Sequence, residues 1–455
     1  ANNMQGTVFI KIAKGTYYPA EKTGSNPAHR DSSFRILRDS IQLFGGYANG
    51  GGRRQNFNEF RVILSGDIGI QNDTSDNCRQ VMVLGNSSPV KNINLTETII
   101  NGLTFTAGNS SADGGGLLIS YGNISLFTTL YLGITISDCT FIENYAKANG
   151  AAVSMYFNSP QNARPRITIL FLNCIFKTNK AQYGGAIACY SSGCAPSIKA
   201  DGCSYIGNSA RASGGAVFTT GEYYTNPVFN YKNSSFFNND AINDGGAVYA
   251  SIFSGTHYNY FTKCSFDRNK TGSNGGAVCV AAEEGTTQLN MEKCNLTNNT
   301  ASFGGAVSNL TRSYESYIKY TACVFDNNDS KYKGGAIYNF CKSYNVSYPE
   351  MINCLLVNNQ SKGNGGAIYN EGESNAKLQS KITSSTFYNN RARSRIGATL
   401  YNEAASIVNY DTTHLYNSII WESTGYEDRD SFAIMQTNAV CVLYNSLLQG
   451  KRADG

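Results

Sequence analysis

The segment CVFDNNDSKYKGGAI, residues 323–337, belongs to the repeat that decides the fold. A related copy, CLLVNNQSKGNGGAI, follows at residues 354–368. Both segments combine a Cys-x-Phe/Leu-x-x-Asn phrase with a Gly-Gly-Ala-Ile phrase. The Gly-Gly doublet occurs seven times at steps of 29 to 31 residues, at Gly184-Gly185, Gly214-Gly215, Gly245-Gly246, Gly275-Gly276, Gly304-Gly305, Gly334-Gly335 and Gly365-Gly366. A period this regular indicates one structural unit that is copied and stacked.

The Cys-x-Phe/Leu-x-x-Asn phrase supplies two further sets of equivalent positions. The asparagine set comprises Asn144, Asn179, Asn208, Asn239, Asn269, Asn299, Asn328, Asn359 and Asn390. The cysteine set comprises Cys139, Cys174, Cys203, Cys264, Cys294, Cys323 and Cys354, with Ser234 and Ser385 at two equivalent positions. The alternation in Cys-x-Phe predicts a short strand with one buried face. Asparagine tolerates the left-handed backbone conformation and glycine adopts positive φ readily, so both phrases predict tight corners.

Short strands between corners, without helical periodicity, predict an all-β parallel β-helix, or β-solenoid, in which about 30 residues form one coil. Neighbouring coils should lie about 4.8 Å apart, so that equivalent side chains stack in ladders. We expect about ten or more coils in a single elongated domain. Its predicted parts are 1–94, an N-terminal non-repeating β segment with opening coils or a cap; 95–396, the regular repeats; and 397–455, degenerate C-terminal coils or a cap.

The composition fits a stacked solenoid and argues against several classes of partner. Hydrophobic residues make up 41% and charged residues 15% of the 455 residues, and the net charge is +5. This small, dispersed charge gives no reason to expect nucleic acid as a partner. No apolar stretch approaches 18 residues, so we expect no insertion into a membrane. The first residues read like the interior of a domain, which favours a mature start after removal of a signal peptide.

The thirteen cysteines are numerous but do not suggest a metal site. A buried cysteine behaves as a small hydrophobic residue, so the main prediction is a ladder of reduced thiols, with some stacked disulfides as the alternative. Cys189 and Cys194 lie off the ladder and close in sequence, which makes them the candidate disulfide. Zinc is not expected, because the chain has no Cys-x-x-Cys motif and only three histidines.

The sequence offers no catalytic residue and no cofactor site. There is no Asp-Asp pair and no Gly-His-Gly motif of the kind that polysaccharide hydrolases use. His29, His257 and His414 share no repeat position, and we interpret them as solvated loop residues. Glu283-Glu284 is interpreted as a solvated pair.

Calcium is the one metal for which the sequence offers candidates. Asp67, Asp73 and Asp76 form the densest acidic set, in a segment rich in glycine and asparagine. Carboxylates in a loop are typical calcium ligands. A turn capped by aspartate is the simpler interpretation of the same residues.

Two rows of residues are candidate contact surfaces. The asparagine ladder could bind a linear glycan, although such ladders more often bond one coil to the next. Tyr249, Tyr338 and Tyr369 follow the Gly-Gly phrase at similar offsets. Alternation along the strand puts Tyr249 on the face opposite Val248, which favours an outward aromatic strip suited to a sugar or a protein partner.

The Gly-Gly-Ala-Ile and Phe-x-x-Asn phrases resemble the repeats of chlamydial polymorphic membrane proteins over roughly residues 100–400. The segments AKGTYYP (13–19), LFGGY (43–47) and ILSGD (63–67) are similar to the opening coils of secreted Bacteroidetes β-helix proteins. The resemblance implies a right-handed parallel β-helix that is exported and displayed at the cell surface. It implies adhesion or surface structure rather than catalysis.

The function expected from the sequence is therefore that of a non-enzymatic, exported structural or adhesive protein, a rigid rod at the cell surface or outside the cell. Its expected partner is either another copy of itself or a host or extracellular glycan or protein. One alternative is a subunit that assembles end to end into a filament or surface layer, since open strand edges can pair. Another is a polysaccharide lyase or hydrolase.

Overall fold

The computed structural model describes residues 6–20, 27–57, 59–71, 73–85, 95–121, 131–160, 165–223, 225–393, 398–405, 411–421 and 432–449. The contacts divide the chain into two compact units, Ala1–Ser234 and Ser235–Gly455. In the described residues, the strands of each unit form parallel β-sheets, and the single helical element is the 3₁₀ helix Pro27–Asp31. The predicted all-β parallel β-solenoid is confirmed. No helix in those ranges is long and apolar enough to cross a bilayer.

One coil of the second unit shows how the chain runs through the four sheets. It passes through Glu315–Thr321 in sheet 1, Val324–Asp326 in sheet 2, Asp329–Lys333 in sheet 3 and Ile337–Cys341 in sheet 4. The next strand, Val346–Ile352, returns to sheet 1 and pairs in parallel with the first strand of the coil. Glu315 lies opposite residue 346, so one coil takes 31 residues, in agreement with the predicted period.

The first unit contains the following strands. Sheet 1 contains Val8–Ala13, Ile41–Tyr47, Leu95–Asn101, Tyr131–Ser137, Arg166–Leu172, Ser197–Asp201 and Val228–Lys232. Sheet 2 contains Gly15–Tyr17, Val62–Ser65, Leu103–Thr106, Thr140–Ile142, Ile175–Lys177 and Ser204–Ile206. Sheet 3 contains Asn109–Ser110, Tyr145–Ala146, Lys180–Ala181 and Ser209–Ala210. Sheet 4 contains Phe34–Ile36, Met82–Leu84, Leu117–Tyr121, Val153–Asn158, Ile187–Ser192 and Val217–Glu222.

The second unit repeats this arrangement. Sheet 1 contains Thr256–Thr262, Thr286–Glu292, Glu315–Thr321, Val346–Ile352, Lys377–Thr383, Thr412–Tyr416 and Val440–Tyr444. Sheet 2 contains Ser235–Phe237, Ser265–Asp267, Asn295–Thr297, Val324–Asp326, Leu355–Val357, Thr386–Tyr388, Ile419–Trp421 and Leu447–Leu448. Sheet 3 contains Asp240–Ala241, Lys270–Thr271, Thr300–Phe303, Asp329–Lys333, Gln360–Ser361 and Arg391–Ala392. Sheet 4 contains Val248–Ile252, Val278–Ala282, Val307–Thr311, Ile337–Cys341, Ile368–Gly372, Ala398–Ala404 and Phe432–Thr437.

The hydrophobic core lies inside the coils, where equivalent side chains stack. Phe325 is fully buried between Leu296 and Leu356 of the neighbouring coils. In the first unit the rings of Phe105 and Phe141 stack with centroids 4.6 Å apart. Because successive coils present a large hydrophobic residue at the same place in sheet 2, the strands of that sheet stay in register.

The corners differ in one respect from the sequence prediction. The left-handed residue is the one before the ladder position: Asn327 has φ 54° and precedes Asn328, and Ala322 has φ 52° and precedes Cys323. The ladder asparagine itself is free to point its side chain inward, while its predecessor makes the turn. The prediction that the ladder asparagine occupies the left-handed position is therefore wrong.

Both reasons for the Gly-Gly doublet apply, one to each glycine. Gly334 has φ 66°, in the left-handed region that favours glycine. A Cβ on Gly335 would lie 2.0 Å from the carbonyl oxygen of Gly366 in the next coil. The first glycine therefore makes the corner, and the second allows adjacent coils to approach closely.

The N-terminal residues form coils although they lack the repeat. Val8–Ala13 pairs with Ile41–Tyr47 in sheet 1, and Gly15–Tyr17 pairs with Val62–Ser65 in sheet 2. Coil formation thus begins before the first recognisable sequence repeat.

Candidate binding groove

The outer face of sheet 1 in the second unit carries a groove of about 680 Å³. Its floor is formed by successive strands from Thr286–Glu292 to Thr412–Tyr416. Side chains alternate along each strand, so every second residue points away from the core. Because the strands are in register, the outward residues form rows that run from coil to coil.

The first row combines rings with an amide group. Gln288, Tyr317 and Tyr348 lie opposite one another on three consecutive strands. The rings of the two tyrosines stack with centroids 5.2 Å apart and an angle of 15° between their planes. The hydroxyl of Tyr317 donates to Glu315, and this hydrogen bond raises the pKa of Tyr317 to about 12. The tyrosine is therefore neutral at physiological pH, and its ring is held by the neighbouring carboxylate.

The second row carries the charges. Asn290, Lys319, Glu350, Lys381 and His414 follow one another in register on five strands. The Nζ of Lys319 lies 2.7 Å from Oε2 of Glu350, and the Nζ of Lys381 lies 3.7 Å from Oε1 of the same carboxylate. Two ammonium groups therefore share one carboxylate, and the three side chains together carry a charge of +1.

A second pair of rings borders the groove at its C-terminal end. Tyr416 stacks on Tyr444 with ring centroids 4.5 Å apart. The Nζ of Lys381 lies 6.0 Å from the centroid of the Tyr416 ring. The groove thus combines aromatic surfaces, amide groups and ammonium groups, which can together contact the apolar face and the polar edge of an extended ligand.

The predicted aromatic strip on sheet 4 is buried, so its prediction as an exposed contact surface is wrong. Tyr338 and Tyr369 are only 7% and 1% exposed, and Tyr249 is half-buried. Alternation does place these residues on the face opposite the core, but other side chains cover them. The ring of Phe303 packs against Tyr338, with the ring centroids 5.4 Å apart. The Nζ of Lys333 lies 4.6 Å from the centroid of the Tyr369 ring. The period of a strand reveals which face a residue occupies, but it does not reveal what covers that face.

The asparagine ladder lies inside the coils. All nine residues are buried: Asn144, Asn179, Asn208, Asn239, Asn269, Asn299, Asn328, Asn359 and Asn390. In one link of the ladder, the backbone N–H and the side-chain Nδ2 of Asn299 both donate to Oδ1 of Asn328, each at 3.0 Å. The Nδ2 group also donates to the carbonyl of Phe266 in the preceding coil. These amides bond coil to coil and do not face a ligand.

The cysteine ladder is also buried, and its geometry explains why serine replaces cysteine. The seven residues are Cys139, Cys174, Cys203, Cys264, Cys294, Cys323 and Cys354. The N–H of Cys323 donates to Sγ of Cys354 at 3.4 Å, and the N–H of Cys354 donates to Oγ of Ser385 at 3.1 Å. Either side chain accepts this hydrogen bond. Ser418 and Ser446 continue the same chain of bonds, a role that sequence reasoning missed.

The candidate disulfide is not formed: Cys189 and Cys194 are both free thiols in the structure, as are the other cysteines. Cys189 lies within the strand Ile187–Ser192, where it pairs with Met155 on one side and Thr219 on the other. Its side chain therefore fills a stacked position in the core. Burial raises the pKa of Cys194 to about 12, so this thiol stays protonated.

Two of the three calcium candidates, Asp73 and Asp76, cap turns. Oδ1 of Asp73 accepts from the N–H of Ser75 at 2.8 Å, and hydrogen bonds from Ser75 lower the pKa of Asp73. Oδ2 of Asp76 accepts from the N–H of Ile70 at 2.7 Å. Among the described residues, which include Asp67, no group of three or more His, Cys, Asp or Glu side chains is placed to hold a metal ion.

The interpretation of the histidines as solvated loop residues is wrong for two of them. His257 lies in the strand Thr256–Thr262 and is fully buried, and this burial lowers its pKa to about 3. His414 lies in a strand on the groove side of sheet 1. Glu283 is also not simply solvated, because it forms an ion pair with Arg312.

Two segments of the chain match a known family of repeats. Residues 322–339 and 353–371 match the Chlamydia polymorphic membrane protein repeat. The two segments are consecutive copies of the repeat, each with its sheet 2 strand and its Gly-Gly corner. The predicted resemblance to this family is confirmed for these segments, and the groove strand Val346–Ile352 lies between them in the chain. No curated protein matches the chain.

Proposed function

We propose that this protein is an exported, non-enzymatic β-helical protein with a structural or adhesive role at the cell surface or outside the cell, and that it binds an extended glycan in the groove on sheet 1. The observation that carries the proposal is the pair of in-register rows that cross successive strands of the second unit. A row repeats at the strand spacing of about 4.8 Å, so one linear polymer can contact several coils in the same way.

The chemistry of the rows suits a sugar chain. The flat rings of Tyr317 and Tyr348 offer surfaces on which the apolar face of a sugar can pack. The amides of Gln288 and Asn290 and the ammonium groups of the second row offer hydrogen bonds to hydroxyl groups. A groove that combines aromatic surface with convergent polar groups is the usual form of a ligand site.

The repeat similarity supports the proposed location. The matched family is described as a polymorphic membrane protein, which agrees with display at a cell surface. Adhesion also needs no reaction centre, and Glu350 is the only carboxylate among the described residues that line the groove. Hydrolysis of glycosidic bonds generally uses two carboxylates, so this composition favours binding over catalysis.

A binding assay with a matched control tests the proposal. The double variant Tyr317→Ala/Tyr348→Ala should lose binding to those linear glycans on an array that the wild-type protein binds. Tyr388→Ala is the control, because Tyr388 is 45% exposed on sheet 2, similar to the 42% of Tyr317, and does not line the groove. Equal binding by the double variant and the control would reject the groove as the glycan site.

End-to-end assembly is a second candidate, favoured by one observation. Val440–Tyr444 pairs only with Thr412–Tyr416 among the described strands of sheet 1, and Val440 and Tyr444 are 52% and 44% exposed. An open strand edge can pair with another chain. Electron microscopy of the purified protein tests this candidate: filaments should lengthen with protein concentration, whereas a uniform population of single particles would reject it.

A further inference from the structure

We infer that the glycan bound in the sheet 1 groove is anionic, carrying carboxylate or sulfate groups along its length. This inference rests on the proposed function, because it names the ligand class of the same groove. It is carried by the charges of the second row, which do not cancel.

The carboxylate of Glu350 can neutralise only one of its two neighbours. Lys319 forms the close contact at 2.7 Å, while Lys381 remains at 3.7 Å, beyond hydrogen-bond distance. The side chain of Lys381 is 55% exposed, so its ammonium group is accessible from the groove. Glu350 is mainly the partner of Lys319. An acidic group on a ligand could therefore form an ion pair with Lys381.

The other carboxylates on this face lie outside the groove lining. Glu292 forms an ion pair with Lys293 at 3.1 Å, whereas Glu315 keeps its negative charge while it accepts the hydroxyl of Tyr317. Neither glutamate lines the groove. The described residues that line the groove therefore carry a formal charge of +1, and Glu315 lies beside them.

The rings next to the lysines favour a sugar acid over an acidic peptide. Lys381 lies beside the ring of Tyr416, and Lys319 follows Tyr317 by two residues on the same face of one strand. Each positive group thus has a flat aromatic surface beside it. A uronic acid or sulfated sugar presents an anionic group and an apolar ring face in one unit, which matches this pairing.

Matched probes separate charge from shape. Binding would be measured by calorimetry at low ionic strength for polygalacturonate, for its fully methyl-esterified form, for hyaluronate, for dextran and for polyglutamate. We expect the acidic form of polygalacturonate to bind about three- to ten-fold more tightly than the neutral ester, and we expect added salt to remove the difference.

Three variants test the role of the lysine pair. Lys381→Gln should weaken binding of polygalacturonate about two- to five-fold. Glu350→Gln should strengthen it by a similar factor, because it releases both ammonium groups; a merely structural role of Glu350 predicts no gain. Lys377→Gln is the control, since Lys377 opens the same strand as Lys381 but lies outside the groove.

The outcomes distinguish the inference from the function on which it rests. Equal affinity for polygalacturonate and its ester, with loss of both in Tyr317→Ala/Tyr348→Ala, would overturn the anionic ligand and leave glycan binding in place. Tighter binding of polyglutamate than of any glycan, lost in Lys381→Gln, would replace the glycan by an acidic peptide. Failure of every probe to bind would overturn both the inference and the proposed function.

Discussion

Asn328 is the residue at which the contribution of the asparagine ladder can be measured most directly. Its Oδ1 accepts from the backbone N–H and the side-chain amide of Asn299, and its Nδ2 donates to the carbonyl of Leu296 and to Oδ1 of Asn359, all at 2.9–3.0 Å. Each buried hydrogen bond contributes about 1 kcal/mol, and partners left buried without water add to the loss. We therefore expect Asn328→Ala to lower the free energy of unfolding by about 3–5 kcal/mol.

Urea unfolding followed by circular dichroism gives the global loss, and hydrogen exchange at the amide of Asn299 gives the local one. The second measurement is needed because stacked repeats can unfold without two-state behaviour. Asn327→Gly is the control: Asn327 is exposed and has φ 54°, which glycine adopts freely, so we expect a change below about 1 kcal/mol. A loss below about 1 kcal/mol for Asn328→Ala, or unchanged exchange at Asn299, would refute the reasoning.

Three further predictions concern stability. Gly335→Ala should lower the melting temperature strongly, because its Cβ would lie 2.0 Å from the carbonyl oxygen of Gly366; unchanged melting would contradict the close approach of the coils. Phe325→Ala should cost about 3–5 kcal/mol, whereas Phe325→Leu should cost under about 1.5 kcal/mol because the neighbouring coils carry leucine there; similar losses would be unexpected. Burial raises the pKa of Asp411 from 3.8 to about 6, so the folded state favours the protonated acid and loses stability as the pH rises from about 4 to above 6. Asp411→Asn should remove this loss, of about 1–3 kcal/mol, in urea titrations at pH 4 and pH 8; a variant with the same pH dependence as wild type would rule it out.

The repeat made the architecture predictable because its fixed phrases are the residues that shape the coil. Gly334 and Gly335 make a corner and a close approach, and Asn328 and Phe325 fill the interior. Each of these roles depends on local geometry that the residue type itself dictates. The same logic did not extend to the tyrosines of sheet 4, because the residues that cover them come from sheet 3 and vary between coils.

The groove was missed for a related reason. Its strands contain no repeated phrase, so a search for motifs does not find them. A signal was nevertheless present: Lys319, Glu350 and Lys381 are spaced by 31 residues at each step, which is the length of the coils that contain them. Alignment of the chain by the coil period, rather than by motif, would have placed the three charges in one row.

The interior hydrogen bonds have a consequence for how this protein can change over time. Buried amides such as Asn328 hold each coil in register with the next one through hydrogen bonds inside the solenoid. The outward side chains of sheet 1 therefore contribute little to the register of the coils. Substitutions on the outer face of sheet 1 can therefore accumulate one coil at a time while the fold is kept. Insertion of a whole coil would lengthen that face by one strand, so changes on the outer face and changes in coil number do not require changes in the buried hydrogen bonds.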